Sequence, residues 1–301
     1  METLYKRIRV IINPAAGQPE PILNTLNTVF YPHGIDWDVR ITQQSGDAQR
    51  FAKEALEQGV DLVAGYGGDG TQMEVANALM NSDTPMAILP GGTGNAMTYE
   101  LNIPRVLKQA AELIVGDNQI KKIDIAKINE RNFILRAYAG FDSERAASRE
   151  MKDKFGQLAY VNASLNFLRE TPTAQYRATI DGKVIEGKAM LCFILNAGAL
   201  GGVLGIPLPE MPEVNISDGF LDFYAITTNL KAFRALSNYV LQVGESSTTH
   251  AQAGIYHWRG REITLEADPP QDVWIDGEEY GPTPITATAL HQAIQVLVPK
   301  R

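Results

Sequence analysis

Three times in its first hundred residues the chain runs through a short apolar stretch and stops at a small, polar, glycine-bearing loop. Ile8 to Ile12 ends at Asn13-Pro14-Ala15-Ala16-Gly17, residues 60–64 lead into Gly65-Tyr66-Gly67-Gly68-Asp69-Gly70-Thr71, and Met86 to Leu89 closes on Pro90-Gly91-Gly92-Thr93-Gly94-Asn95. Apolar runs this short, bounded by glycine and proline, read as buried strands. Residues 36–42, with alternating Trp37, Val39 and Ile41, add another strand. Helical spacing fills the intervals at residues 21–30 and 46–58, and again from Thr71 through Met73, Val75, Ala76, Leu79 and Met80. The order β-α-β-α-β-α-β predicts a parallel sheet with helices on both faces. Ligands of such sheets bind beyond the carboxyl ends of the strands, so the three loops are expected on one edge.

The middle loop carries the sharpest chemistry. Strand, glycine turn and helix together offer backbone N–H groups and a helix N-terminus to a phosphate. Thr71 stands where an N-cap belongs, and Glu74 three residues on completes a capping-box pattern. Asp69 conflicts with an anionic ligand, because two unit charges about 4 Å apart repel by roughly 4 kcal/mol at an effective dielectric near 20. A hard cation held by carboxylate, water and phosphate oxygens removes the conflict, which makes Asp69 a candidate ligand of a nucleotide-bound Mg²⁺. Taken alone, the same four residues are equally a tight turn with Asp69 at its tip.

Two better-known phosphate motifs do not fit. Gly65, Gly67 and Gly70 spell G-x-G-x-x-G, but on the third strand rather than the first, and Pro90 and Gly91 stand where a ribose-binding acid is wanted. A Walker A loop needs Gly-Lys-Ser/Thr, and this loop has no lysine.

The set Asn13-Pro14-x-x-Gly17, Gly67-Gly68-Asp69-Gly70-Thr71 and Pro90-Gly91-Gly92-Thr93-Gly94-Asn95 resembles the catalytic region of the diacylglycerol kinase and sphingosine kinase superfamily, most of all its small soluble bacterial lipid kinases. Ile123-Asp124-Ile125, Gly140-Phe141-Asp142, residues 218–222 and Asp276-Gly277-Glu278 extend the likeness over nearly the whole chain. The resemblance implies ATP and Mg²⁺ as cofactors and a lipid hydroxyl as acceptor. It implies nucleotide contacts from Asn13, Thr42, Gly67, Gly68, Gly70, Thr71, Gly92, Thr93 and Asn95. Asp69 would hold the metal and Asp124 would join its network, while Glu278 would take the acceptor's proton. Without that likeness, Asp276-Gly277 reads as a type I′ hairpin turn with Glu278 in solvent. Asp218 resembles part of a structural divalent-metal loop with Asn215 and the Phe220 carbonyl, and also reads as a hairpin turn. The chain departs from many bacterial relatives at Ala96, where they carry Asp.

From about residue 121 the pattern changes to strands, at 121–128, 133–139, 174–180, 184–196, 219–226, 263–266 and 273–275. Asp181-Gly182 marks a hairpin, and helices are expected at 158–168 and 231–243. The expected fold is therefore α/β, a helix-covered parallel sheet of the NAD kinase and phosphofructokinase kind followed by an antiparallel β-sandwich. The domains would be 1–122 and 123–289, with residues 290–301 returning to the first as the family pattern implies and the active cleft between them. An apolar loop at 201–212 (Val203, Leu204, Ile206, Leu208, Met211) is a candidate for admitting an acyl chain or touching a bilayer.

Composition bounds the partners. A net charge of -8 over 301 residues argues against nucleic acid and against tight electrostatic docking on anionic membranes. The single cysteine, Cys192, excludes an intramolecular disulfide and lies in an apolar run, as an inert buried thiol does. The four histidines show no zinc spacing. No signal-like or membrane-spanning run appears, so a cytoplasmic protein with transient membrane-surface contact is expected, open to homodimer formation. Two alternatives to a lipid kinase stand: a kinase of a soluble acceptor, and a noncatalytic nucleotide- or lipid-binding protein.

Overall fold

The computed structural model describes residues 5–16, 19–140, 172–198, 214–227 and 255–300. The expected helices at 158–168 and 231–243, the apolar loop at 201–212, and Gly17, Phe141 and Asp142 lie outside them. The chain divides into two compact units, residues 1–125 with 291–301, and residues 126–290.

The first unit is a parallel sheet of β1 (Arg7–Ile12), β2 (Asp36–Ile41), β3 (Leu62–Gly67) and β4 (Met86–Pro90). Its strand order is β2-β1-β3-β4. Every residue of β3 and β4 is buried, the continuous apolar signature of a sheet covered on both faces. The covering helices are α1 (Ile22–Phe30), α2 (Asp47–Glu57), α3 (Asp69–Leu79) and α5 (Leu107–Val115), α1 packing with α5 and α2 with α3. A short α4 (Ala96–Glu100) follows the third loop. Beyond β4 lies the second half of the long final strand β16 (Ile285–Pro299), parallel to β4 at Val296 and Met86. Strand order reverses between β1 and β3, and such a switch point is where open α/β sheets bind ligands.

One polar group interrupts the core of this sheet. Arg9 on β1 is fully buried, and its guanidinium forks onto Asp38 (Nε–Oδ1 2.7 Å, Nη2–Oδ2 2.5 Å) while also donating to Gln58 (2.8 Å). Arg9 holds the Asp38 carboxyl below its ordinary range, and Arg50 does the same for Asp47. Carboxyls depressed in the folded state contribute stability above the unfolded Asp value of about 3.9 and lose it as the pH falls through their folded values. The expected result is a urea midpoint that drops between pH 6 and pH 3.5. In Asp38→Asn the midpoint is lower at pH 6 and depends less on pH, and an unchanged pH slope would refute the assignment.

The second unit is two antiparallel sheets. One joins the first half of β16 to β13 (Glu262–Asp268), β8 (Ala174–Ile180) and β9 (Lys183–Ala189). Strand β5 (Asn118–Ile128) pairs with β16 and with β6 (Arg131–Phe133). The other sheet has the order β12 (Ile255–Gly260), β11 (Leu221–Ile226), β10 (Leu191–Leu195), β7 (Arg136–Ala139), β14 (Asp272–Ile275), β15 (Glu278–Pro282). Their facing side chains, among them Phe133, Ile194, Phe223, Leu265 and Ile275, form one buried core. The Asp181-Gly182 turn has φ of 47° and 80°, the left-handed pair of a type I′ hairpin.

Two runs expected as single strands are divided. Residues 133–139 break at Ile134 and Leu135, whose N–H groups go to the Asp276 carboxylate at 3.0 and 3.2 Å instead of to a ladder. Residues 184–196 break at Met190, where β9 leaves one sheet and β10 enters the other. Strands β12 and β15 had no clear alternation in the sequence to announce them. Among the described residues no helix is long and apolar enough to cross a membrane.

Candidate active site

The three loops meet on the edge formed by the carboxyl ends of β1, β3 and β4. Asn13 ties the first to the second: its backbone N–H donates to the Tyr66 carbonyl (2.9 Å) and its Nδ2 to the Thr71 hydroxyl (3.0 Å). Thr42, just past β2, is buried beside them and donates its N–H to the Ile12 carbonyl (2.9 Å). Gly91 N–H reaches the Gly67 carbonyl at 3.1 Å, joining second loop to third. These two loops touch so closely that a Cβ on Gly92 would lie 2.5 Å from the Gly68 Cα. A Cβ on Gly67 would fall equally close to the Thr71 hydroxyl, at 2.5 Å.

Helix α3 begins three residues earlier than the sequence indicates, its N-cap at Gly68 and not at Thr71. Gly68, extended at φ -83° and ψ -176°, is the N-cap, and Asp69 opens the helix. Thr71 is therefore the third helical residue, and its hydroxyl accepts from Asn13 instead of capping. The capping box with Glu74 does not form, since Glu74 is too far into the helix to reach back. Its carboxylate crosses to the start of α2, accepting from Gly46 N (2.9 Å), Ala48 N (3.0 Å) and Ser45 Oγ (3.3 Å).

Asp69 sits at the centre of this joint. An acid in the first turn is favoured by the helix dipole. Its Oδ2 accepts from Ala96 N (3.1 Å) and its Oδ1 from Met97 N (3.3 Å), so backbone amides orient the carboxylate across the third loop. Position 96 meets Asp69 through its amide, a contact that does not depend on the side chain relatives carry there. Asn95, at φ 48°, braces its own loop: Oδ1 accepts from Gly92 N (3.0 Å) and Nδ2 donates to Gly92 O (2.6 Å). Gly70, Thr93 and Gly94 stand exposed on the same edge. Sequence reasoning passed over Tyr66 and Glu20. The buried Tyr66 ring lies under Gly91, and its hydroxyl donates to Glu20 (2.7 Å), with burial pushing the phenol's ionisation up. No motif marks either residue; the only signal was an aromatic inside a glycine run.

Asp124 is not brought to this joint. It is fully buried and accepts from Gln292 N (2.6 Å) and His291 Nδ1 (3.0 Å). Val296 is level with Met86, so Gln292 lies beyond the opposite end of β4 from Pro90. The Asn81 N–H, just past the far end of α3, donates to the Ala293 carbonyl (2.8 Å) and agrees with that placement. What Asp124 joins here is β5 to β16, through His291, a residue the sequence gave no reason to single out.

In the second unit, Asp276 (φ 49°) and Gly277 (φ 90°) form the two-residue turn between β14 and β15. Glu278 is exposed and ion-paired with Arg131. The Asp276 carboxylate accepts from the amides of Ile134, Leu135 and Arg136. Burial pushes its carboxyl above the ordinary range against the pull of those donors. Asp218 is paired with Arg259 and accepts from Phe220 N (3.1 Å), and Asn215 Oδ1 accepts from Ser217 N (3.1 Å). Among the described residues no group of three His, Cys, Asp or Glu is placed to hold a metal.

The first unit is a doubly wound α/β domain whose switch-point loops gather glycine amides around one carboxylate, followed in sequence by an antiparallel sandwich. The chain belongs to the diacylglycerol kinase family, a family of kinases: residues 7–128 match the diacylglycerol kinase catalytic domain and residues 136–298 the YegS C-terminal NAD kinase beta sandwich-like domain. A Staphylococcus aureus protein named "Putative lipid kinase" is 31% identical over 267 residues, covering 86% of this chain and 85% of its own. An uncharacterized protein of Synechocystis sp. is 29% identical over 308 residues, covering 96% and 70%. A crystal structure described as "a putative diacylglycerol kinase from Bacillus anthracis" has a TM-score of 0.80 at 28% identity, covering 99% of this chain and 98% of that one.

Proposed function

We propose that this kinase transfers the γ-phosphoryl group of ATP, with Mg²⁺, to a lipid hydroxyl, in transient contact with a membrane surface. The observation that carries the reading is Asp69, held by two backbone amides where three glycine-bearing loops join. The residues fit the cofactors. Each Asp69 oxygen accepts one backbone N–H and keeps a further lone pair, and the first-turn amides of α3 have no partner within their helix. The side-chain-free contact of Gly68 with Gly92 leaves backbone rather than Cβ atoms facing a phosphate. When bound, ATP supplies the phosphoryl group, and Mg²⁺ offsets the repulsion between its phosphates and Asp69. Asp69 would hold the metal, and the amides of Gly70, Thr71 and the Gly92 loop would bind phosphate oxygens. Asn13 ties the first loop to the second, and Asn95 braces the third.

Glu278 is the proposed base, a carboxylate able to accept the acceptor's proton within about 3 Å. Glu278→Gln is expected to lower kcat by roughly 10² to 10⁴ with little change in melting temperature, because the side chain is exposed. Unchanged kcat in that variant would remove Glu278 from the role.

The test of the function is incubation with labelled ATP, Mg²⁺ and separate lipids: diacylglycerol, phosphatidylglycerol and sphingoid bases. Label in a chloroform-soluble product is expected. A water-soluble labelled product transfers the assignment to a soluble acceptor. ATP binding without transfer to any acceptor makes the chain a noncatalytic binding protein.

A further inference from the structure

Tyr66 touches all three glycine-bearing loops at once. Its carbonyl accepts from the Asn13 N–H of the first (2.9 Å), and its own backbone runs into Gly67 of the second. Its ring lies under Gly91 of the third so tightly that a Cβ there would meet two ring carbons at 2.8 and 2.9 Å. The side chain is fully buried, and it is the large one in a strand otherwise made of Leu62, Val63, Ala64, Gly65 and Gly67.

A hydrogen bond fixes how this ring lies. The phenol donates to the Glu20 carboxylate (2.7 Å), and burial, reinforced by that carboxylate, pushes its ionisation up, so it stays a donor. Bonds to an ionised acceptor are about twice as strong as neutral ones. Glu20 is half-buried at the foot of α1, where its carbonyl accepts from the Ile22 N–H (2.8 Å) and Pro21 is the N-cap. The ring is therefore tethered to a helix that is itself packed with α5. Any turn of the ring is passed to the backbone at Gly91 and Gly92. Gly92 abuts Gly68, the N-cap of the helix that Asp69 opens. Close-packed interiors transmit such displacements instead of absorbing them. A site that needed only bulk would be served by phenylalanine; a hydroxyl with its own carboxylate has a use where the ring's orientation matters.

We propose that Tyr66, held by Glu20, is a positioning residue that keeps the Asp69 and Gly92 loops at the spacing a bound polyphosphate needs. This rests on the kinase reading, and neither side chain is assigned a contact with nucleotide: Glu20 acts through Tyr66, and Tyr66 through Gly91.

The full-length chain is titrated with ATP and Mg²⁺ by isothermal titration calorimetry, with thermal unfolding of the free protein alongside. Tyr66→Phe and Glu20→Ala are each expected to weaken ATP binding by about fivefold to tenfold, the scale of one hydrogen bond. The double variant is expected to bind no more weakly than either single one, since both changes remove the same bond. Glu20→Gln, whose amide oxygen still accepts from the phenol, should restore most of the affinity. ATP affinity at the wild-type value in both single variants, whatever their melting temperatures, makes the pair a packing contact and overturns the inference alone. Losses that multiply in the double variant, or a Glu20→Gln protein as weak as Glu20→Ala, overturn it equally. A wild-type protein that binds no ATP overturns the kinase reading, and this inference with it.

Discussion

Asp69→Asn is expected to lower kcat for phosphoryl transfer by about 10³-fold or more while the domain stays folded. The substitution keeps the size of the side chain and one acceptor oxygen, so an amide contact to Ala96 or Met97 survives. What disappears is the negative charge, and with it the reason for a divalent cation to bind beside a polyphosphate. Positioning and charge stabilisation are nearly all that a protein contributes to phosphoryl transfer, so the loss falls on catalysis. Steady-state kinetics at saturating ATP, with thermal unfolding as the control for folding, decide it. Wild-type turnover in Asp69→Asn would remove the metal role and with it the proposed mechanism.

Gly92→Ala is expected to damage stability and activity together. Its Cβ would meet the Gly68 Cα at 2.5 Å, and both sides of that contact are backbone, so no flexible side chain can yield. Forcing the loops apart costs about 1 to 3 kcal/mol by analogy with overpacked cores. It also moves the Asp69 and Gly92 loops away from a shared ligand, and misplacement of about 1 Å can cost roughly 10² in rate. The expected pattern is a lower melting temperature, a raised KM for ATP and a lowered kcat. Gly70→Ala is the control, since nothing lies within 4 Å of a Cβ there. Equal effects at the two positions would mean that loop contact is not what the glycine at 92 provides.

Much of this was readable from local chemistry. Short apolar runs closed by glycine gave β1 and β4 within a residue and β3 with its start two and its end three residues early, because a strand buried on both faces admits little else. The Asp181-Gly182 turn announced itself because few residue pairs accept two successive left-handed conformations. The start of α3 was misplaced because Gly68 can take an extended N-cap conformation without a capping side chain, and Thr71 was wanted elsewhere, by Asn13. Asp124 carried the right motif, yet its partners come from the other end of the chain. No spacing rule reaches 167 residues to His291. The same holds for Asp276, whose three amide donors lie about 140 residues away and divide a strand that looked continuous.

The amino-acid sequence alone determined which segments pair in period and polarity, where the chain must turn, and that a carboxylate stands among phosphate-type glycines. Those are properties of a few neighbouring residues, set by backbone sterics and side-chain solvation. Only the tertiary structure decided which loops share an edge, that Gly68 and Gly92 meet backbone to backbone, and that Asp124 closes β5 onto β16 at the far end of the sheet. Such pairings are fixed by strand order and register, which depend on burying the whole sheet at once and cannot be read from any one stretch.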